Sequence, residues 1–462
     1  MAERQEAAVR LPDAAQNSDL MTEGKIGQKI LLFSIPLILG NLLQQLYNTM
    51  DSIIVGNFVG SAALAAVGSS TAIINLLIAF SQGAAVGAGV VVAQYMGAKK
   101  QESVERAVHT ALAMAAVLGM VLTLGGVVGT RTLLIYMNTP EEVFADAADY
   151  MRLYSWGLIF NVVYNMAAGI LNAAGNSKRS LIYLAYASVT NIVLDLLLIA
   201  VFRMGVKGAA IATDISQMLS CVLALLFLMR VPADYRVSLK RIRIHRDMAG
   251  SILKIGLPTG IQNMVISLSN VLVQSGINGF GAKVMAGFGA YMKIDGFNIL
   301  PVMSFSMAMT TFTGQNYGAG RLDRVKKGVR ITTLMCVIYT ITTGILLLTF
   351  SGAVMRLFTS DAEVIACGRL VMRYFCPFYV FLGVMHALAG AVRGTGRTMP
   401  PMVILLLSLC FFRVLWMRFV LPAFPVQNTV YLLYPVSWAL GMVLMLLYAW
   451  KGKWLEQKQK KK

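Results

Sequence analysis

From Ile30 onward the chain alternates long apolar stretches with short polar breaks, and each stretch can supply the roughly 20 helical residues that cross a bilayer. The pattern predicts spans near 29–56, 62–92, 107–130, 145–171, 181–202 and 207–229, then near 254–277, 284–312, 331–355, 366–391, 399–421 and 428–450. Ahead of them, Glu3, Arg4, Glu6, Arg10, Asp13 and Asp19 are mixed with Ala and Gln. No short apolar core with a small-residue cleavage site occurs there, so no signal peptide is read and the segment is expected to be a loose cytoplasmic arm.

The spans repeat. Residues 93–108 (AQYMGAKKQESVERAV) and 314–329 (GQNYGAGRLDRVKKGV) align without a gap at a shift of 221. The same shift pairs Gly68 with Gly289, Met151-Arg152 with Met372-Arg373, and GILNAAGNSKR (169–179) with GAVRGTGRTMP (390–400). Near the start of each half a shift of 222 pairs Ile35-Pro36 with Leu257-Pro258. One six-span unit is duplicated. Because six is even, both copies enter the bilayer in the same sense, which relates them by a pseudo-twofold axis along the membrane normal. The expected fold is therefore an all-α integral membrane protein of twelve transmembrane helices in two six-helix repeats. A cytoplasmic tail covers 1–28, an N-terminal lobe 29–229, a cytoplasmic linker 230–253, a C-terminal lobe 254–450 and a basic tail 451–462.

Composition agrees: 57% of the 462 residues are hydrophobic and 13% charged, against about 25% charged in soluble domains. The net charge of +19 would suggest a nucleic-acid partner in a soluble chain, but its placement excludes one. With the N-terminus inside, about 29 of the 40 Lys and Arg fall in the tails and cytoplasmic loops. Lys99, Lys100 and Arg106, then Lys178 and Arg179, then Lys240, Arg241, Arg243 and Arg246, then Arg321, Arg324, Lys326, Lys327 and Arg330 all lie there. The charge is thus a topology signal, with both termini expected in the cytoplasm; the expected location is the plasma (bacterial inner) membrane. The central run faces either anionic headgroups or solvent.

Other chemistry is missing from the sequence. Five cysteines without CxxC spacing indicate neither a disulfide framework nor a zinc site. There is no GxxxxGK[ST] and no HExxH, and His109, His245 and His386 are far apart. Gly83, Gly87 and Gly89 read as close helix packing rather than a phosphate loop. No catalytic constellation is visible, so the chain is expected not to be an enzyme. A duplicated bundle suits a secondary transporter with its site at the repeat interface.

Ionisable groups inside spans are costly and point to function. Asp51 lies about 5 residues from the outer end of span 1 and Asp195 about 7 from that of span 5, or about 8 and 11 Å. Thr213 and Asp214 are about 6 residues into span 6, at the same outer-half level at 1.5 Å per residue. Asn191 shares a helix face with Asp195. Asp51, Asn191, Asp195 and Thr213 would form an oxygen-rich pocket able to hold Na⁺ or, when dry, H⁺. Asp214 is a neighbour, since consecutive helix residues point about 100° apart. Asp295 is near mid-depth in span 8, two residues after Lys293, a spacing that makes no same-helix pair, so each needs a partner elsewhere. Arg413 and Arg418 snorkel or pair.

With these residues in view the chain resembles the multidrug and toxic compound extrusion (MATE) family of cation-coupled antiporters. The resemblance rests on IP at 35–36, YNTMDSIIVG (47–56), AQYMGA with its echo QNYGAG, GILNAAGNSKR with its echo AVRGTGR, NIVLD (191–195) and GVKGAAIATDIS (205–216). It implies a V-shaped pair of six-helix lobes around a central cavity, exporting amphipathic, often cationic compounds against Na⁺ or H⁺ entry. The family's N-lobe cation site matches Asp51, Asn191, Asp195 and Thr213, its bending proline matches Pro36, and cavity polar positions match Gln44 and Tyr150. The NorM-like branch carries acids in spans 7 and 10. Here those places are Ile266 and Leu382, with Gln262, Asn263 and His386 nearby, a likeness to the DinF-like branch with coupling in the N lobe.

The resemblance implies small drug-like organic substrates, contact with membrane lipids, no resident cofactor beyond the coupling ion, and function as a monomer. The 28 methionines suit an adaptable cavity wall but are also ordinary filler in apolar helices. The alternative is a flippase for a lipid-linked saccharide or other lipid, which a strongly basic cavity would favour.

Overall fold

The computed structural model describes residues 20–456, which form helices and loops with no strand among them. In the N lobe these are α1 (Ile26–Phe58), α2 (Ser61–Gly97), α3 (Gln101–Tyr136), α4 (Glu141–Ala173), α5 (Ser177–Val201) and α6 (Gly205–Arg230). The C lobe contains α7 (Arg246–Asn278), α8 (Ala282–Gly318), α9 (Leu322–Thr349), α10 (Ala362–Gly394), α11 (Met399–Ala423) and α12 (Gln427–Trp450). The helix is forced by the solvent: in hydrocarbon every backbone N–H and C=O must be satisfied within the segment. On α3, Val117, Met120, Val121, Leu124 and Val128 recur at helical spacing and are each more than half exposed. Such a stripe has no place in water and faces lipid.

Ten of the twelve helices are long and apolar enough to cross a membrane on length and composition alone. The other two are α7, which carries Gln262, Asn263, Ser267, Ser269 and Asn270, and α8, which carries Lys283, Lys293 and Asp295. Both pack on the N lobe, α7 with Gly260 against Gly83 and α8 with Gln315 against Gly97. The span expected at 331–355 is broken: α9 ends at Thr349 and a separate helix runs Ser351–Arg356.

The repeat is written into the backbone. Left-handed residues recur 221 apart at Gly60 (φ 115°) and Gly281 (94°), Lys99 (54°) and Gly320 (72°), and Gly175 (87°) and Gly396 (83°). Each marks the same turn in the two lobes, and glycine is the residue that adopts it without strain.

The lobes share a core at one end only. Met21, Ile30, Phe33 and Leu37 pack among C-lobe residues, and Met248, Ile252 and Ile255 among N-lobe residues. Two other N-lobe clusters, one around Ile54, Val67 and Tyr150 and the other around Ile73 and Leu134, include no C-lobe side chain. The joined end, the basic end of the molecule, carries Lys99, Arg179, Arg241 and Arg324. Small residues permit the joint: a Cβ on Gly83 would meet the backbone of Gly260 at 2.5 Å, and one on Gly87 the Ile252 carbonyl at 2.5 Å. Gly97 abuts the Gln315 carbonyl and Gly318 the Gln94 carbonyl, again as a pair 221 apart. Gly89 packs within its own lobe, where a Cβ would meet the Gly169 carbonyl at 3.2 Å.

The expected loose arm is docked where it is described. The Met21 N–H donates to Gln315 Oε1 at 2.7 Å, and Arg324 and Asn316 donate to the Met21 carbonyl at 3.2 Å each. Arg321 adds a 2.7 Å bond to the Thr22 carbonyl. The apolar Leu20 and Met21 end an otherwise polar segment and are buried, which the acidic and basic residues ahead of them did not reveal. Residues 1–19, including those charges, lie outside the described residues, as do 457–462 of the basic tail.

Candidate functional site

The N-lobe pocket is built by four helices. α1 brings Asp51, α4 Tyr150, α5 Asn191 and Asp195, and α6 Thr213. Four of these side chains, all but Asp51, are at least nine-tenths buried, with Asn191 and Asp195 at 0% exposure. Asn191 Nδ2 donates to Thr213 Oγ1 at 3.4 Å. Asp51 and Asp195 stand within Coulombic reach of each other, and the Tyr150 hydroxyl within reach of both. Asp195 is the last α-helical residue of α5; the helix then widens into a π-helical stretch, Leu196–Val201. Such widening is frequent at functional sites.

Four oxygens here have no hydrogen-bond partner: Asp51 Oδ1, Asn191 Oδ1 and both carboxylate oxygens of Asp195. Leaving a carboxylate buried and unpaired costs several kcal/mol, so a static structural role explains the group poorly. All four are oxygens, two of the residues carry charge, and a hard cation or a proton is what such a set receives. No cluster of three or more His, Cys, Asp and Glu occurs among the described residues.

Asp214 points elsewhere. Its carboxylate rests on the backbone of Gly157 in α4, in the space a Cβ there would occupy. Gln44 sits beside the Tyr47 hydroxyl on α1. Pro36 lies within α1, which runs unbroken through it, 15 residues from Asp51 or about 22 Å along the axis.

The remaining candidates are in the C lobe and do not join this pocket. Gln262 is buried in α7 and Asn263 half-buried beside it. His386 is buried, and its carbonyl accepts from Ser306 Oγ at 2.7 Å. Asp295 accepts from the Tyr379 hydroxyl, which also meets the Tyr291 hydroxyl. Arg413 is fully engaged: Nη1 donates to Asn270 Oδ1 at 3.0 Å, Nε to Ser437 Oγ at 3.2 Å, and the guanidinium lies 4.5 Å from the Tyr434 ring centre. Sequence reasoning missed Arg393. It sits in α10 with Nη2 on Ser306 Oγ at 3.1 Å and a buried, unpartnered Nε; the signal was its place in the repeated string GAVRGTGR.

Twelve helices in two like lobes, joined at one end, with an orphaned carboxylate pocket in one of them, define a multi-pass membrane protein of the two-repeat transporter class. The MatE family signature matches residues 36–197 and 258–416, one stretch in each lobe. The chain belongs to the MatE family. It is 30% identical over 395 residues to the "Probable multidrug resistance protein YpnP" of Bacillus subtilis (strain 168), covering 85% of this chain and 88% of that one. Identity to the "Probable multidrug resistance protein NorM" of Thermotoga maritima is 26% over 443 residues, 93% of each chain. A MOP superfamily transporter from Pyrococcus furiosus superposes with a TM-score of 0.88 at 22% identity, over 96% of this chain and 100% of that one.

Proposed function

We propose that this chain is a secondary multidrug exporter, moving amphipathic and often cationic organic compounds out of the cell in exchange for Na⁺ or H⁺. The observation that carries the reading is the set of unpartnered oxygens on Asp51, Asn191 and Asp195. Asp51 and Asp195 supply the charge that a coupling cation neutralises, while Asn191 and Thr213 add neutral oxygens. The family and the names of its relatives, multidrug resistance proteins, support the substrate class. Positive residues gather inside, so we take the basic end as cytoplasmic and the arrangement described as open to the outside. Transport then rocks the lobes about the glycine seams, breaking the basic joint and closing the far end.

We place coupling in the N lobe, as the DinF-like likeness implies, with lipid around the bundle and a monomer as the working unit. A lipid-linked saccharide flippase would call for a strongly basic cavity, whereas the N-lobe pocket is lined by carboxylates. The test is dye efflux from vesicles holding the protein, with a Na⁺ gradient or a H⁺ gradient imposed alone. Efflux under one of them is expected; no efflux under either would sink the proposal.

A further inference from the structure

The intramembrane charges are divided between the lobes. Asp51 and Asp195 belong to the N-lobe pocket, with Asp214 turned aside onto Gly157 in the same lobe; Arg152, two residues from Tyr150, lies on the opposite, exposed side of α4. In the C lobe Asp295 stands against Lys293, Arg393 and Arg413, leaving that side positive.

Lys293 is the C-lobe charge that meets the space between the lobes. On α8 the stripe Lys293, Phe297, Leu300 and Ser304 runs along one face, its first and last members about 20° apart in projection. Ser304 marks what that face sees, because its Oγ accepts from Asn41 Nδ2 of α1, across the lobe boundary, at 3.0 Å. Farther from the basic end the lobes no longer share a core, so the same face looks into the opening. Gly289 and Gly296, one turn to either side of Lys293, have open space where a Cβ would stand. Asp295 does not neutralise the lysine: it is rotated by about 200° and held by Tyr379 inside the lobe. Lys293 is exposed and takes part in none of the five ion pairs among the described residues.

We propose that the cavity selects dipolar amphiphiles, holding a substrate's ammonium group at the N-lobe carboxylates and its anionic group, a carboxylate or equivalent, at Lys293. A simple cation gains from the first and is repelled by the second, and a simple anion meets the reverse. A molecule with both charges, spaced to span the opening, gains at each end, and the low-dielectric walls magnify the difference. This deepens the export reading and rests on it for the cavity's role.

A fluorescent piperazinyl-quinolone carboxylic acid and its methyl ester differ in the anionic group alone. Equilibrium binding of each to purified protein should favour the acid roughly tenfold, the scale of one charge-assisted contact. Lys293→Gln should erase that preference by weakening the acid while leaving the ester equal or tighter, and Lys293→Arg should keep it. Equal binding of acid and ester to the wild type, or a Lys293→Gln variant that retains the preference, overturns the assignment. Vesicle efflux of the ester by wild-type protein tests the export reading separately. Its absence beside an intact binding preference would remove the transport role and leave the Lys293 contact standing.

Discussion

Gln94 and Gln315, equivalent residues of the two repeats, donate into each other's lobes: Gln94 Nε2 to the Gly394 carbonyl at 2.9 Å, and Gln315 Nε2 to the Ala173 carbonyl at 2.8 Å. The accepting residues are also 221 apart. This reciprocal clasp explains why AQYMGA and GQNYGAG echo each other, since the glycine three residues after each glutamine receives the partner glutamine's carbonyl. The clasp is unequal because Gln315 also takes the Met21 N–H. Net worth is about 1 kcal/mol per bond, so Gln315→Ala should lower stability in detergent about twice as much as Gln94→Ala. Thermal unfolding followed by tryptophan fluorescence measures it; equal losses would contradict the docked arm.

Gly157 and Asp214 make a second close fit. A methyl group at 157 has no room beside the Asp214 carboxylate, and overpacking costs about 1–3 kcal/mol. Gly157→Ala should therefore destabilise the protein, and Asp214→Ala introduced into that background should recover most of the loss. A double-mutant cycle with no coupling between the two sites would remove this account.

Much of the fold was legible because its signals are periodic: twelve apolar stretches, a 221-residue echo and a basic bias at alternate breaks require only counting. Depth along a helix, also countable, brought Asp51, Asn191, Asp195 and Thr213 to one level, and the four side chains lie together. Direction of pointing was less accessible. Helix phase already set Asp214 apart from Thr213 and Lys293 apart from Asp295, but the partners, Gly157 for Asp214 and Tyr379 for Asp295, are fixed by packing between helices that spacing does not record. The break at Phe350 and the docking of Leu20 and Met21 were hidden for a related reason: neither hydropathy nor charge records a contact made 294 residues away, as between Met21 and Gln315.

The coupling assignment predicts that Asp51→Asn and Asp195→Asn each nearly abolish gradient-driven efflux while the protein still reaches the membrane. An amide does not exchange charge with H⁺ and is a weaker Na⁺ ligand. Asp295→Asn should be milder, since its carboxylate is held by Tyr379 within the C lobe. Initial efflux rates at matched protein density decide; wild-type rates for both N-lobe variants would refute the site.

Topology is tested by labelling. Single cysteines at Lys178, Arg243, Arg324 or Arg397 in a Cys-free background should resist impermeant thiol reagents in intact cells and react in inverted vesicles, following the positive-inside argument. External labelling at position 243 would reverse the orientation.

One pocket can serve exchange through competition for its charge. A cationic substrate and the coupling cation both gain from the negative charge of Asp51 and Asp195, and neutralising these carboxylates removes most of that gain. The two ligands should therefore oppose each other, with a coupling of about 1–3 kcal/mol, or roughly 5–150-fold in affinity, typical of linked sites. The sign is fixed: raising H⁺ or Na⁺ weakens substrate binding, and the substrate in turn weakens the cation's. Pro36 enters as a mechanical element, because α1 carries Asp51 at one end and lacks one ladder N–H at the proline, so a bend there narrows the N-lobe side as the charge is lost. Dye affinity of purified protein, titrated against pH and Na⁺ separately, should fall with one of them. The Asp51→Asn, Asp195→Asn double variant should flatten that dependence, and Pro36→Ala should slow efflux more than it alters affinity. An affinity indifferent to both cations would exclude direct opposition in the pocket and move coupling to the joint between the lobes.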